Sequence, residues 1–371
     1  MKALIVGSTN TKTDTIPYAQ IYPFFSHRRL LRSQLGLTIQ HAEASTITEI
    51  EAACRAKADI FFIRPSWRED ATEVERVMRQ IRNQHPSAII VFIDPFDQTS
   101  SRFFGVLPYV DRFLKYQGLR DKKLYSRSFV GGTFLTNVLA EELGYDLKDW
   151  HVGSEVPQGY EHRIETGWYV SLLPDFKKPL FKKSILREQP AKRSIDLFCH
   201  VSYGPRNNLE WYGQHRIEAI GALQRLASDY RLSVSGDYTG EKRAISSRQY
   251  FADIKQSRIV VSPFGWGEIT LRDYEAACYG CLLIKPDVEH IDVAPDIFIP
   301  GETYIPVRWD FADLEEKCRY YLERPDEISR ITNNARQVYM NYFNHNQFVQ
   351  KIANLIQAVK PYYPLTITRA A

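Results

Sequence analysis

The chain has 371 residues, 44% of them hydrophobic and 25% charged, with a formal net charge of +4. That length predicts two domains, and that balance excludes a disordered or fibrous chain. The charge is too small to demand a nucleic-acid partner, and no apolar run approaches the roughly 20 residues that span a bilayer.

Short apolar runs alternate with helical patterns from the start. Strands are predicted over 2–7, 37–42, 58–64, 88–94 and 110–115, with helices near 18–35, 45–57 and 69–84 between them. In the third helix Val74, Val77, Met78 and Ile81 recur at helical spacing. Continuously apolar strands alternating with helices predict a parallel sheet covered on both faces. Residues 144–193, with four prolines and the basic stretch "FKKPLFKK", read as a connection between domains with some structure of its own. A second alternation then begins, with strands at 195–201, 231–236, 258–263 and 281–286 and helices at 209–228, 247–256 and 271–279. An extended piece at 303–307 and helices near 311–323, 326–342 and 346–360 finish the chain. The expected fold is α/β, with two doubly wound, Rossmann-like domains facing a cleft. The expected boundaries are 1–190, 191–345, and a terminal helix and tail over 346–371.

Five cysteines in so long a chain read as free thiols, and the start "MKALIVGSTN" lacks the apolar region of a signal peptide. Both point to a cytoplasmic protein. Cys278 and Cys281 form a C-x-x-C, but no second pair completes a zinc site. They are expected to be small buried residues.

The stretch "SPFGWGEITLRDYEAACYGCLLIKP" (262–286) carries the densest chemistry. Thr270 can cap a helix with Asp273 three residues on, and Gly280 suits a left-handed stop, which bounds a helix over 271–279. Gly265 and Gly267 before it let the backbone approach a ligand closely. A helix N-terminus with Arg272 in its first turn suits a phosphate, and Glu275 lies one turn further along the same face. A plain i,i+3 surface pair is the competing reading of Arg272 and Glu275.

With "IFIPGETYIPVRWDFADLEEKCRYYLERPDE" after it, this stretch resembles the donor-binding half of GT-B glycosyltransferases, closest to the exostosin-like and spore-coat-type, group-1-like branches. The resemblance spans 195–345. It implies transfer of a sugar from a nucleotide-diphosphate donor, UDP or GDP, to a glycan, lipid-linked or small acceptor, as in polysaccharide biosynthesis. It further implies that Glu275 holds the ribose, that Glu268 lies near the donor sugar, and that Arg272 and Arg206 hold the diphosphate. Tyr238 would border the base, and Arg243 would reach phosphate. Gly265, Gly267 and Thr270 would shape the loop. No cofactor and no metal would be needed. Glu268 and Glu275 stand one residue closer than the family's usual retaining pair, so the stereochemical outcome stays open.

"VFIDPFDQTSSRFFG" (91–105) places Asp94 and Asp97 beyond a buried strand, where a carboxylate can take the acceptor proton. A turn cap before Pro95 is the other reading of Asp94. His27 is a rival base. The basic "FKKPLFKK" stretch allows weak contact with an anionic membrane surface. A non-catalytic sugar- or nucleotide-binding module with the same fold is the alternative function. A dinucleotide-dependent oxidoreductase is disfavoured, because "LIVGSTNT" lacks the G-x-G-x-x-G pattern.

Overall fold

The computed structural model describes residues 1–10, 15–182, 193–203, 211–235 and 245–360. In the first half, β1 (Lys2–Val6) is followed by α1 (Thr15–Ser26), α2 (Arg28–Leu35), β2 (Thr38–Ala42), α3 (Ile47–Ala53), β3 (Ile60–Ile63), α4 (Ala71–Gln84) and β4 (Ile89–Ile93). Then come β5 (Arg112–Lys115), β6 (Gln117–Leu119), α5 (Phe134–Glu141), β7 (Ile164–Thr166) and α6 (Pro174–Leu180). Six of these strands form a parallel sheet in the order β2-β1-β3-β4-β5-β7.

The local reasons are legible. Every residue of β3 and β4 is buried, as strands covered on both faces require. The Asp70 carboxylate accepts from the Thr72 and Glu73 amides at 3.0 Å and so starts α4. The predicted stripe of Val74, Val77, Met78 and Ile81 is the buried face of that helix.

One expectation changes here, and one gains detail. The helix expected over 18–35 is two helices that meet at His27, a break that continuous periodicity conceals. The connecting stretch, counted with the first domain at 1–190, supplies β7, the sixth strand of the first sheet, which the sequence did not mark as a strand. Three residues, Ile-Glu-Thr, are too short to display a strand period.

The second half contains β8 (Ile195–His200), α7 (Trp211–Gln224), β9 (Leu232–Ser235), α8 (Ser247–Lys255), β10 (Ser257–Val261), α9 (Leu271–Tyr279), β11 (Leu282–Pro286), β12 (Ile291–Val293) and β13 (Ile305–Val307). Helices α10 (Leu314–Leu322), α11 (Pro325–Asn344) and α12 (Gln347–Val359) follow. Its five-stranded parallel sheet has the order β13-β11-β10-β8-β9, so the strand order reverses beside β8, as it does beside β1 in the first sheet. Both halves are doubly wound.

The halves are fastened to each other. β6 pairs antiparallel with β12, Leu119 opposite Ile291. The rings of Tyr169 and Tyr274 stack across the boundary at 5.1 Å, and the Tyr169 hydroxyl donates to the Ile269 carbonyl at 3.0 Å. One apolar core runs from Ile5 and Phe62 through Tyr169 and Tyr274 to Val260 and Tyr304. Helix α12 leaves the second half and packs Phe348 edge-on against Phe24 and Trp168 of the first, at 5.3 and 4.9 Å. Among the described residues no helix is long and apolar enough to cross a membrane.

Candidate functional site

The carboxyl ends of the two sheets meet at one place. Asp97, in the loop after β4, lies against Gly267, in the loop after β10. A Cβ on Gly267 would come within 2.3 Å of the Asp97 carbonyl oxygen and 2.1 Å of Gln117 Nε2. Only glycine lets the loops approach this closely. Gln117, fully buried, ties the contact: its Nε2 donates to the Asp97 carbonyl and its Oε1 accepts from the Ile269 amide at 3.0 Å.

On the second-half side, α9 has the predicted bounds. The Asp273 carboxylate accepts from the Thr270 amide at 2.8 Å and from its hydroxyl at 3.1 Å. Gly280 closes the helix in the left-handed conformation, φ 66°. Asp273 is fully buried and pairs with buried Lys285, which also donates to the Glu268 carbonyl at 2.8 Å. The helix start and the loop that carries Glu268 are thereby locked together.

Two guanidinium groups sit at the carboxyl ends of β8 and β10. Arg272 donates to the His200 carbonyl at 2.6 Å and to Ser262 Oγ at 3.2 Å. Arg216, from α7, donates to the Phe264 carbonyl at 2.8 Å and to the Ser202 carbonyl. Gly265 makes room for it, since a Cβ there would lie 2.9 Å from Arg216 Nη2. Among the described residues neither arginine has an ion-pair partner. Burial, and then the charge of Arg272, bring the Arg216 guanidinium down to about 10. Each guanidinium thus disfavours charge on the other.

Glu275 is half-buried on the same face of α9. It accepts from the Tyr250 hydroxyl at 2.6 Å, and burial raises its carboxyl above the usual carboxylate range. Glu268 is buried, with Oε1 3.3 Å from His290 Nε2 and Oε2 without a partner. An orphaned carboxylate oxygen in a buried position is costly unless something else meets it.

The two aspartates of the first half have different surroundings. Asp94 is fully buried; it pairs with buried Lys115 and accepts from Ser101 Oγ at 2.8 Å. Lys115 also donates to the Ser100 carbonyl at 2.7 Å, which pins both ends of the loop bearing Asp97. Asp97 itself is exposed to solvent. Desolvation, with the charges of Glu268 and Asp94 adding to it, raises its carboxyl to about 6. His27 lies elsewhere: its Nδ1 is 3.0 Å from the Pro23 carbonyl, its ring packs on Phe348, and burial lowers its pKa.

The structure thus gathers Asp97, Glu268, Gly267, Gly265, Thr270, Arg272 and Glu275 around one cleft, with Asp94 buried beneath it. Arg206, Tyr238 and Arg243 lie outside the described residues. Arg216, Gln117, His290 and Tyr250 escaped the sequence reading because each acts from another element. Cys278 and Cys281 are buried, and their thiols donate to the Phe176 and Ile254 carbonyls at 3.2 and 3.1 Å. Among the described residues no cluster of three or more His, Cys, Asp or Glu side chains is arranged to hold a metal ion.

Comparison with known proteins agrees with this architecture. Residues 215–354 match the family model described as glycosyl transferase-like. No curated protein matches the chain in sequence. A glycosyltransferase from Rickettsia africae ESF-5 superposes with a TM-score of 0.56 at 12% identity, over 97% of this chain and 99% of that one. An alpha-glucosyltransferase solved with UDP and a 13-mer DNA containing a HMU base gives 0.48 at 10% identity, over 96% and 99%. At 12% identity the Rickettsia africae likeness concerns the fold alone. Two facing doubly wound halves give the chain the GT-B fold, and residues 215–354 within its second half match the glycosyl transferase-like family model.

Proposed function

We propose that the chain transfers a sugar from a nucleotide-diphosphate-sugar, UDP- or GDP-linked, to an acceptor hydroxyl in the cleft. The observation that carries this reading is the pair Arg216 and Arg272, two guanidinium groups without carboxylate partners among the described residues, beside the N-terminus of α9. That arrangement suits a diphosphate. Glu275, one turn along, would exchange its Tyr250 hydrogen bond for the ribose hydroxyls. Glu268 would offer its unpartnered Oε2 to the donor sugar.

In the reaction the bond between the anomeric carbon and the diphosphate oxygen breaks, and the diphosphate leaves with the electron pair. The acceptor oxygen forms the new bond, and its proton passes to Asp97, whose raised pKa suits a base near neutral pH. The arginines and the helix end would carry the leaving charge without a metal or cofactor. Asp94, paired with Lys115, would position the Asp97 loop and touch no substrate.

The test is release of nucleoside diphosphate from UDP- and GDP-sugars in the presence of hydroxylated acceptors. Wild type should turn over. Asp97→Asn should lose about 10²–10⁴-fold in turnover while nucleotide affinity is kept. Wild-type rates in that variant would remove Asp97 from the mechanism, and absence of turnover with every donor would leave a binding module.

A further inference from the structure

Two cavities have walls that include neighbours of the candidate carboxylates and neither Arg216 nor Arg272. One, of about 360 Å³, lies within the first half; Thr99, Ser100, Ser126, Ser128 and Ser154 supply hydroxyls to its wall. The other, of about 490 Å³, lies between α5 and the loops after β11 and β13. Phe134 lines both, so they adjoin. Each volume falls within the roughly 300–1,000 Å³ of ligand sites.

A row of half-buried rings connects them. Phe129 and Phe134 lie 5.8 Å apart between centroids, Phe134 and His290 4.6 Å, and His290 and Trp309 5.5 Å. Flat rings that keep a partly open face, beside hydroxyl groups, suit the C–H faces and hydroxyls of sugars. Each cavity reaches toward one candidate carboxylate: Thr99, in the wall of the first, stands two residues after Asp97, and His290, in the wall of the second, has its Nε2 3.3 Å from Glu268 Oε1.

The charge of the groove narrows the ligand further. In the outer cavity Glu142, Asp287, Glu289 and Asp310 face a single guanidinium, Arg308, which is already paired with Asp310 at 3.0 Å. In the inner cavity the charges of Arg127 and Glu155 balance. A polyanion such as a nucleic acid or a polyol-phosphate chain would be repelled from the outer end.

We infer that this groove binds the acceptor and that the acceptor is an uncharged oligosaccharide spanning both cavities. The inference rests on the transfer reading above and gives its acceptor a chemical class.

Binding is measured calorimetrically for neutral oligomers of glucose, galactose and N-acetylglucosamine, one to four units long. Poly(glycerol phosphate) and single-stranded DNA serve as polyanions, and UDP and GDP report the donor side. At least one neutral series should bind, with affinity rising at least tenfold from one unit to three. Phe134→Ala should weaken that binding at least tenfold and leave nucleoside diphosphate affinity unchanged. Glu142→Lys with Glu289→Lys, both on exposed positions, should fold normally, retain the neutral ligand and gain polyanion binding. Nucleotide binding without any neutral oligosaccharide, affinity independent of length, or tighter binding of a polyanion to wild type would each overturn the inference while leaving the transfer reading intact. Failure of every nucleotide to bind would overturn both.

Discussion

Asp97 combines access to solvent with a desolvated carboxyl, the combination a general base needs. Its raised pKa has a sign that can be checked. A base works deprotonated, so kcat/KM should climb as pH rises through about 6 and level off near neutrality. Asp97→Asn should abolish that rising limb. A wild-type profile flat between pH 5 and 8 would contradict the assignment. Asp94, three residues earlier, was a second candidate in the sequence, with a turn cap before Pro95 as its competing reading. The spacing D-P-F-D gives no hint that one carboxylate faces the cleft and the other is consumed by Lys115, because Lys115 lies on β5, twenty-one positions away. Separation in sequence also hid Arg216. It stands on α7, and only the folded chain brings it beside Arg272.

Among the elements, α9 was the most legible. A capping Thr and Asp, an apolar face and a stop glycine within a dozen residues are local signals, so its bounds emerged without the structure. The glycines before it were legible as a close approach, although the groups they admit are Gln117, Asp97 and Arg216 of the protein itself. Strands β6, β7 and β12 were not legible, since each is three residues long and is stabilised by a partner distant in sequence. Gln117, the first residue of β6, clamps the Asp97 loop to the chain just after Glu268. Gly267→Ala would push a methyl group into that clamp. Turnover should fall at least tenfold, stability should drop by about 1–3 kcal/mol, and nucleotide affinity should change little, because the arginines and Glu275 lie on other segments. Steady-state kinetics, thermal melting and calorimetry read the three quantities. Wild-type turnover in this variant would show that the approach of the two loops does not matter to the chemistry.

For the whole molecule, alternation of strands and helices was enough to anticipate two doubly wound halves. How firmly they are joined was not, since the contacts that join them pair residues more than a hundred positions apart. The β6–β12 pair, the Tyr169–Tyr274 stack and the α12 helix across the first half weld the two into one core. Cooperative unfolding follows the continuity of the core more than the number of sheets. Calorimetry should therefore record one unfolding transition for the chain, with the calorimetric and van't Hoff enthalpies equal. Two resolved transitions would mean that the halves fold independently and that the shared core contributes little.

The measurement that bears most directly on the central claim is calorimetric titration of UDP and GDP into wild type, Glu275→Ala and Arg216→Ala. A hydrogen bond to a charged group is worth about 1.5–3 kcal/mol, so each variant should bind at least tenfold more weakly than wild type, with its melting curve intact. That result would establish the cleft between Arg216, Arg272 and Glu275 as the donor site and identify the base. Equal affinity in all three proteins, or no binding of either nucleotide to wild type, would contradict the account.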